Sequence, residues 1–256
     1  MKTFYLGTHV TSWLRRLDLP LFVSRRQLCK LRTLPKAISN WALDSGGFSE
    51  LSLYGKWTIE PAQYIQEVYR FSDEVGKLDF AAAQDWMCEP FILEKTGLKV
   101  EDHQLRTTLN YLTLKDKAKD LPWLPVIQGW ERDDYLRHVE MYQNYGVDLR
   151  VFPRVGIGSV CRRQSTGPVE PLMRDLSSYG IKLHGFGIKT KGLKTLAQYL
   201  ESSDSMAWSF AARRSPPLEG CLTHKNCANC ILYAQGYYAR IIKSLGFGGS
   251  IGTVAA

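Results

Sequence analysis

No run of about 18 consecutive apolar residues occurs in the 256-residue chain, which excludes a conventional membrane-spanning helix. The opening stretch MKTFYLGTHVTSWLRRLDLP has neither the long apolar centre nor the small-residue cleavage site of a secretory signal. The sequence therefore reads as that of an intracellular, cytoplasmic protein. No P-loop or dinucleotide fingerprint is present, so neither ATP nor a redox nucleotide is expected. No linker, repeat or low-complexity tract divides the chain, which reads as one domain over 1–256. Acidic residues are in deficit: 25 Asp and Glu stand against 33 Lys and Arg, for a net charge of +8. That excess favours polyanionic partners such as nucleic acid. A distributed disulfide framework is absent too. Of the six cysteines, at positions 29, 88, 161, 221, 227 and 230, three fall within ten residues, which suits a metal site better than a secreted scaffold.

What is present is a regular alternation. Short apolar, β-rich runs lie at 3–8, 21–24, 41–46, 78–85, 123–129, 149–158 and 182–189, with a last one reaching 204–209. Between several of them run segments with apolar residues at three- and four-residue spacing, such as EPAQYIQEVYRFSDEVG with a proline at its start. RDDYLRHVEMYQNYG and TGPVEPLMRDLSSYG end in a glycine where a helix should stop. Eight strands alternating with helices predict a (β/α)₈ TIM-type barrel, a doubly wound open sheet being the alternative. The Cys-rich residues 215–235 read as a small zinc-binding subdomain near the C-terminus.

Active sites of such barrels lie where the strands end. Those ends read His9, Asp44, Asp85, Gln128, Gly158, Lys189 and Asp204. A carboxylate is costly to bury unless paired or used, so three of them converging on one mouth argue for chemistry over packing. Asp44 is followed by Ser45-Gly46-Gly47, and glycines let backbone approach a ligand closely. A plain strand-to-loop turn would also explain that motif taken alone. An aspartate can attack a carbon electrophile while a second carboxyl protonates the leaving group, a pairing common in sugar C1′ chemistry. Like charges held together raise one pKa and favour a proton donor. Asp85 with the Gln128 amide matches guanine in type, since guanine offers N1–H and N2–H₂ donors beside an O6 acceptor. Trp86 is the stacking candidate, although core packing is the commoner fate of a tryptophan.

Cys221, His224, Cys227 and Cys230 recur at three-residue steps, a spacing that can close a tetrahedral Cys₃His zinc site. Four protein ligands leave no open position, so the Zn²⁺ would be structural; an iron–sulfur cluster is the alternative. Cys29, Cys88 and Cys161 read as free thiols. Arg162-Arg163, Lys189 with Lys191, and Arg213-Arg214 follow predicted strand ends, where they can hold phosphates. Taken singly, each pair is equally a solvated face. His184 reads as a satisfied barrel histidine rather than a catalyst.

The ordered series LDSGGF, QDWMCEP, IQGW, RVGIGS and DSMAWSFAARR, followed by the clustered Cys and His, resembles the queuine/archaeosine tRNA-guanine transglycosylase superfamily. It is most similar to the DpdA-like deazapurine DNA-modification branch of phages and bacteria, over residues 3 to 240. That resemblance implies a pentosyltransferase in which Asp204 attacks C1′ and displaces guanine, and Asp44 acts as general acid/base. It implies that Asp85 and Gln128 read the base edge, with backbone at Gly156 and Gly158 on the far side. The product would be DNA carrying a 7-deazaguanine such as preQ₀, supplied as the free base in a bacterial cell or phage-infected host. The histidine inside the Cys cluster, and the lack of room for additional RNA-binding domains, favour DNA over tRNA as the substrate. Two other readings stay open on sequence: tRNA-guanine exchange, and a non-catalytic zinc-containing nucleic-acid-binding protein.

Overall fold

Period-two alternation sorts the strand residues into two layers. In β1 (Thr3–Thr8) Tyr5 faces one way and Phe4 and Leu6 the other; in β2 (Leu21–Ser24) and β3 (Trp41–Asp44) Phe22 and Ala42 stand apart from Leu21, Val23, Trp41 and Leu43 in the same manner. Tyr5, Phe22, Ala42, Phe80 and Leu124 form an inner cluster with Phe186, while their neighbours pack outward into the larger core beneath the helices. The computed structural model describes residues 1–161, 163 and 169–246.

The remaining strands are β4 (Leu78–Ala82), β5 (Trp123–Leu124), β6 (Val126–Ile127), β7 (Val155–Ile157), β8 (Leu183–Gly185) and β9 (Leu200–Ser205). All pair in parallel in the order β5-β4-β3-β2-β1-β9-β8-β7-β6. The two ends of that list are halves of one extended segment broken at Pro125, which has no N–H to donate. Its carbonyls bridge the gap: Leu124 accepts from Ala83 at 3.1 Å and Pro125 from Gly156 at 2.8 Å. The sheet thus closes on itself, as the expected α/β barrel requires.

Helices α1 (Arg25–Leu28), α2 (Gly47–Tyr54), α3 (Pro61–Val75), α4 (Pro90–Thr96), α5 (Val100–Lys117), α6 (Arg132–Asn144), α7 (Val169–Ser178), α8 (Thr190–Leu196), α9 (Ala207–Ala212) and α10 (Ile231–Ser244) surround it. Proline starts α3, whose buried Tyr64, Ile65, Val68, Phe71 and Val75 form one apolar stripe, and Gly76 at φ +74° ends it. Among the described residues no helix is long and apolar enough to cross a membrane.

Several expected strands are corrected: the 78–85 run ends at Ala82 and the 182–189 run is a strand only at Leu183–Gly185. The 149–158 run is a strand only at Val155–Ile157: the Asp148 side chain accepts from Arg150 N–H and turns Leu149–Val151 into a 3₁₀ helix, and Pro153 cannot pair. The last strand is Leu200–Ser205, and Trp208 and Ser209 belong to α9 instead.

Candidate active site

Asp44, Asp85 and Asp204 open into one cavity of about 250 Å³ at the C-terminal end of the barrel. Asp44 is the last residue of β3, two positions beyond the inward-facing Ala42 and so on the same face. The glycines after it do separate jobs. Gly46 sits at φ +84°, a conformation a side chain resists, and turns its N–H back to Asp44 Oδ1 at 3.0 Å. Gly47 lines the cavity, and a Cβ there would lie 3.0 Å from Asp85 Oδ1. Behind them α2 is anchored by buried Glu50, which accepts from Arg26 at 2.7 Å and from the Thr58 N–H at 3.0 Å. Desolvation raises the Asp44 pKa, hydrogen bonds from Gly46 and Ser24 lower it, and the charge of Asp204 raises it again, with a net upward shift.

Asp85 lies three residues beyond β4, in an irregular stretch. It accepts hydrogen bonds from the Gln128 amide and from Ser45 Oγ, the latter at 3.4 Å. Burial, followed by the nearby charges of Asp44 and Glu89, pushes its pKa up to about 7 against the stabilising Gln128 bond. Gln128 is fully buried behind Asp85 and does not line the cavity. Its Oε1 accepts from Ser159 Oγ at 2.8 Å, so both ends of the amide are engaged and it holds Asp85 in place. Gly158 makes room for that amide: a Cβ there would fall 2.1 Å from Gln128 Nε2. Ser159 follows at φ +56°, a strained conformation at the cavity wall.

Asp204 ends the inward face of β9. Its Oδ1 accepts from Gly187 N–H at 3.0 Å and faces His184 Nε2 at 3.5 Å. His184 is wholly buried, and its Nδ1 lies 2.9 Å from Ser202 Oγ. Desolvation lowers its pKa against the pull of Asp204, which favours the neutral ring. Both contacts fall on Oδ1. Among the described residues no protein group hydrogen-bonds Oδ2, which is left to the cavity.

The walls are not the expected ones. Phe22, Phe48, Met87, Phe186 and Met206 supply the apolar surface. Trp86 does not line this cavity: it packs with Leu51 and Ile92, 6% exposed, under the Arg106 guanidinium at 4.5 Å. Gly156 is also outside it, keeping space for Phe186, whose Cε2 would be 2.6 Å from a Cβ. The period of two carries a signal for some of these positions, since Met87 follows Asp85 and Phe186 follows His184 by two residues. Phe48 and Ser159 carry no such mark.

The Cys221, His224, Cys227 and Cys230 ligand atoms all lie within 4.8 Å of one another in the turns between α9 and α10. Cys221 and Cys230 sulfurs are 3.8 Å apart, near the roughly 3.7 Å that a tetrahedron with 2.3 Å bonds requires. His224 Nε2 is 3.3 Å from Cys227 Sγ, which also accepts from Leu218 N–H at 3.3 Å, as a thiolate ligand would. The donor set fits a four-coordinate metal. The basic residues lie in the segments that follow β8 and β9. Lys189 caps α8 and Lys191 follows in it; Arg213 and Arg214 follow α9, with Arg214 3.5 Å over the Phe210 ring. All four are exposed. Arg163 covers Trp130 at 4.1 Å, and Arg162 lies outside the described residues.

A parallel barrel with three convergent carboxylates and a closed Cys₃His cluster defines the class, and comparison with known proteins gives the family. Residues 1–248 match the model of DpdA, DeoxyPurine in DNA protein A, a tRNA-guanine transglycosylase-like family, and the chain belongs to it. The description of that family associates it with deoxypurines in DNA. No curated protein matches the sequence. Among solved structures, a Sinorhizobium meliloti protein provisionally described as an isomerase, in an open-loop conformation, aligns with a TM-score of 0.40 at 10% identity. The alignment covers 80% of this chain, which spans 50% of that one.

Proposed function

We propose that the protein exchanges guanine in DNA for a 7-deazaguanine base such as preQ₀, through a covalent aspartyl-deoxyribose intermediate. The observation that carries this reading is the convergence of Asp44, Asp85 and Asp204 on one cavity with apolar walls. Asp204 attacks C1′ through Oδ2 and the C1′–N9 bond breaks, its electron pair leaving with guanine. Asp44, its pKa raised, supplies the proton that neutralises a ring nitrogen of the departing base. The incoming deazaguanine then returns a proton from N9 to Asp44 and attacks C1′, releasing the Asp204 carboxylate. The proton lent in the first half is recovered in the second, so the exchange is balanced without ATP or a redox cofactor.

Asp85 accepts from the N1–H and N2–H₂ edge, with Gln128 fixing its orientation from behind. Phe22, Phe48 and Phe186 exclude water and bear on the base. A duplex buries both C1′ and the base edge, so the target nucleotide has to be extruded to reach Asp204. Lys189, Lys191, Arg213 and Arg214 hold its backbone in this reading, with Arg162 and Arg163 as further candidates. Zn²⁺ is the natural metal for the Cys₃His cluster, in a structural role with no part in the reaction.

Nucleoside mass spectrometry after incubation with labelled guanine or preQ₀ tests the reading. Label is expected in DNA. Label in tRNA and never in DNA would transfer the reading to tRNA-guanine exchange, and label in neither would leave a nucleic-acid-binding protein.

A further inference from the structure

A second concavity of about 360 Å³ lies back to back with the catalytic one. The partition is the strip from Gln84 to Met87, whose side chains alternate: Asp85 and Met87 face the catalytic cavity, Gln84 and Trp86 the other. Trp57 ties the two together. It lines the second concavity, donates from its indole N–H to the Asp85 carbonyl at 3.2 Å, and has Cζ2 3.2 Å from where a Gly47 Cβ would stand. Anything bound there is one backbone thickness from the reacting base.

The chemistry of this second site is not that of an ordinary surface groove. Two cations, Lys56 and Arg106, line it against one carboxylate, Glu60, and neither cation makes an ion pair among the described residues. The Arg106 guanidinium is stacked 4.5 Å from the Trp86 ring and is itself exposed, so its outer face is open to a second planar group. Gln84 is 1% exposed; its Nε2 donates to Ile59 O at 3.1 Å, and its Oε1 is buried without a donor. Asn110 donates to the Gln84 carbonyl at 2.7 Å and completes an amide-lined side. Cations for phosphate, flat faces for stacking and amides for a base edge are the components of a single-nucleotide site.

We infer that this concavity holds the nucleotide next to the extruded guanosine on the same DNA strand, and that it contributes to the choice of sequence context. The inference rests on the DNA-exchange reading. Its phosphate meets Lys56 and Arg106, and its base stacks against the exposed Arg106 face and the Trp57 ring.

The test uses the whole protein with short oligonucleotides carrying one target guanine and either intact or abasic neighbours. Removing the correct neighbouring base is expected to lower kcat/KM by about tenfold, the scale of one lost base stack. Arg106→Ala, at an exposed position, is expected to lose a similar factor on intact DNA and nothing further on the abasic substrate. In parallel, 5-bromodeoxyuridine at the neighbouring position should crosslink on irradiation to Trp57, Trp86 or Arg106. Guanine exchange that proceeds while the two losses simply multiply, with crosslinks elsewhere, overturns this site and leaves the DNA reading standing. No exchange into DNA in any context overturns both.

Discussion

At the scale of single residues, the two oxygens of Asp204 are unequal. Oδ1 is held by Gly187 and faces His184, and in the proposed reaction it is Oδ2 that attacks. Asp204→Asn should abolish both exchange and the covalent DNA adduct recovered on denatured protein, because an amide is a far poorer nucleophile. Asp44→Asn should slow exchange by roughly 10²–10⁴-fold through lost proton transfer. An adduct that survives Asp204→Asn but vanishes with Asp44→Asn would reverse the two roles. His184 is a positioning residue in this scheme. His184→Phe keeps the ring packing against Tyr5, Phe80 and Phe186 but removes the nitrogen facing Oδ1. We expect about tenfold lower kcat at unchanged KM, the worth of one oriented polar contact, with partial recovery in His184→Gln. Loss of KM and thermal stability together, with no recovery in the Gln variant, would indicate packing alone. Asp85 supplies a pH dependence. Its carboxyl titrates near 7 in the fold but near 3.9 when unfolded, so the folded state binds the extra proton between those values. Its contribution to stability is present below about pH 4 and is lost as pH rises through 7. Asp85→Asn should therefore gain in Tm relative to the parent on going from pH 5 to pH 8, while losing selectivity for guanine.

At the scale of elements, the turn from β3 into α2 separates two kinds of glycine. Gly46→Ala should cost about 1 kcal/mol of stability, because φ +84° is strained for any residue with a Cβ. Gly47→Ala has an ordinary backbone but crowds Asp85, so its effect should fall on KM for the base with Tm little changed. Thermal melts beside exchange kinetics read the two apart. This turn was legible in the sequence, because a carboxylate followed by two glycines is a local signal. Strand ends carrying Asp44 and Gln128 were legible because each closes an apolar run, whereas the strand of Asp204, LESSDS, is polar and was expected too late in the chain. The lower boundary of the 149–158 run was not legible, since the Asp148 side-chain turn competes with strand formation and apolar content does not report it. Nor was the burial of Trp86 and Gln128. Which side of an irregular stretch a residue faces is decided by the packing of α2 and α5 against it, and no periodicity records that. Phe48, Ser159 and the second concavity depend on the same long-range assembly.

At the scale of the whole molecule, the Cys₃His cluster sits where a bound metal would clasp the segment after the Asp204 strand to the barrel. Asp204 leads directly into Met206 and α9, and α9 is tied inward by Trp208, which donates to the Gly7 carbonyl at 2.8 Å. The cluster grips the same unit from outside: Ser209 donates to the Ala228 carbonyl at 2.9 Å, and His9 meets Asn229 at 2.7 Å. From Cys230 the chain enters α10, whose Tyr237 packs on Phe4 of β1 with ring centroids 6.4 Å apart. Residues 213–230 hold no helix or strand, so few backbone bonds keep these turns together, and four ligands on one ion would supply the missing constraint. Purified protein should carry about one zinc per chain, the stoichiometry of a single four-ligand site. Chelation, or Cys227→Ser, should lower Tm and exchange activity in parallel, with zinc restoring both to the chelated parent but not to the variant. Cys29→Ser, at an exposed thiol remote from the cluster, should change neither. Metal-free protein that keeps its parent Tm and full exchange would show that the ligand set is an unused cluster. Loss of activity at unchanged Tm would instead assign the metal a place in the reaction.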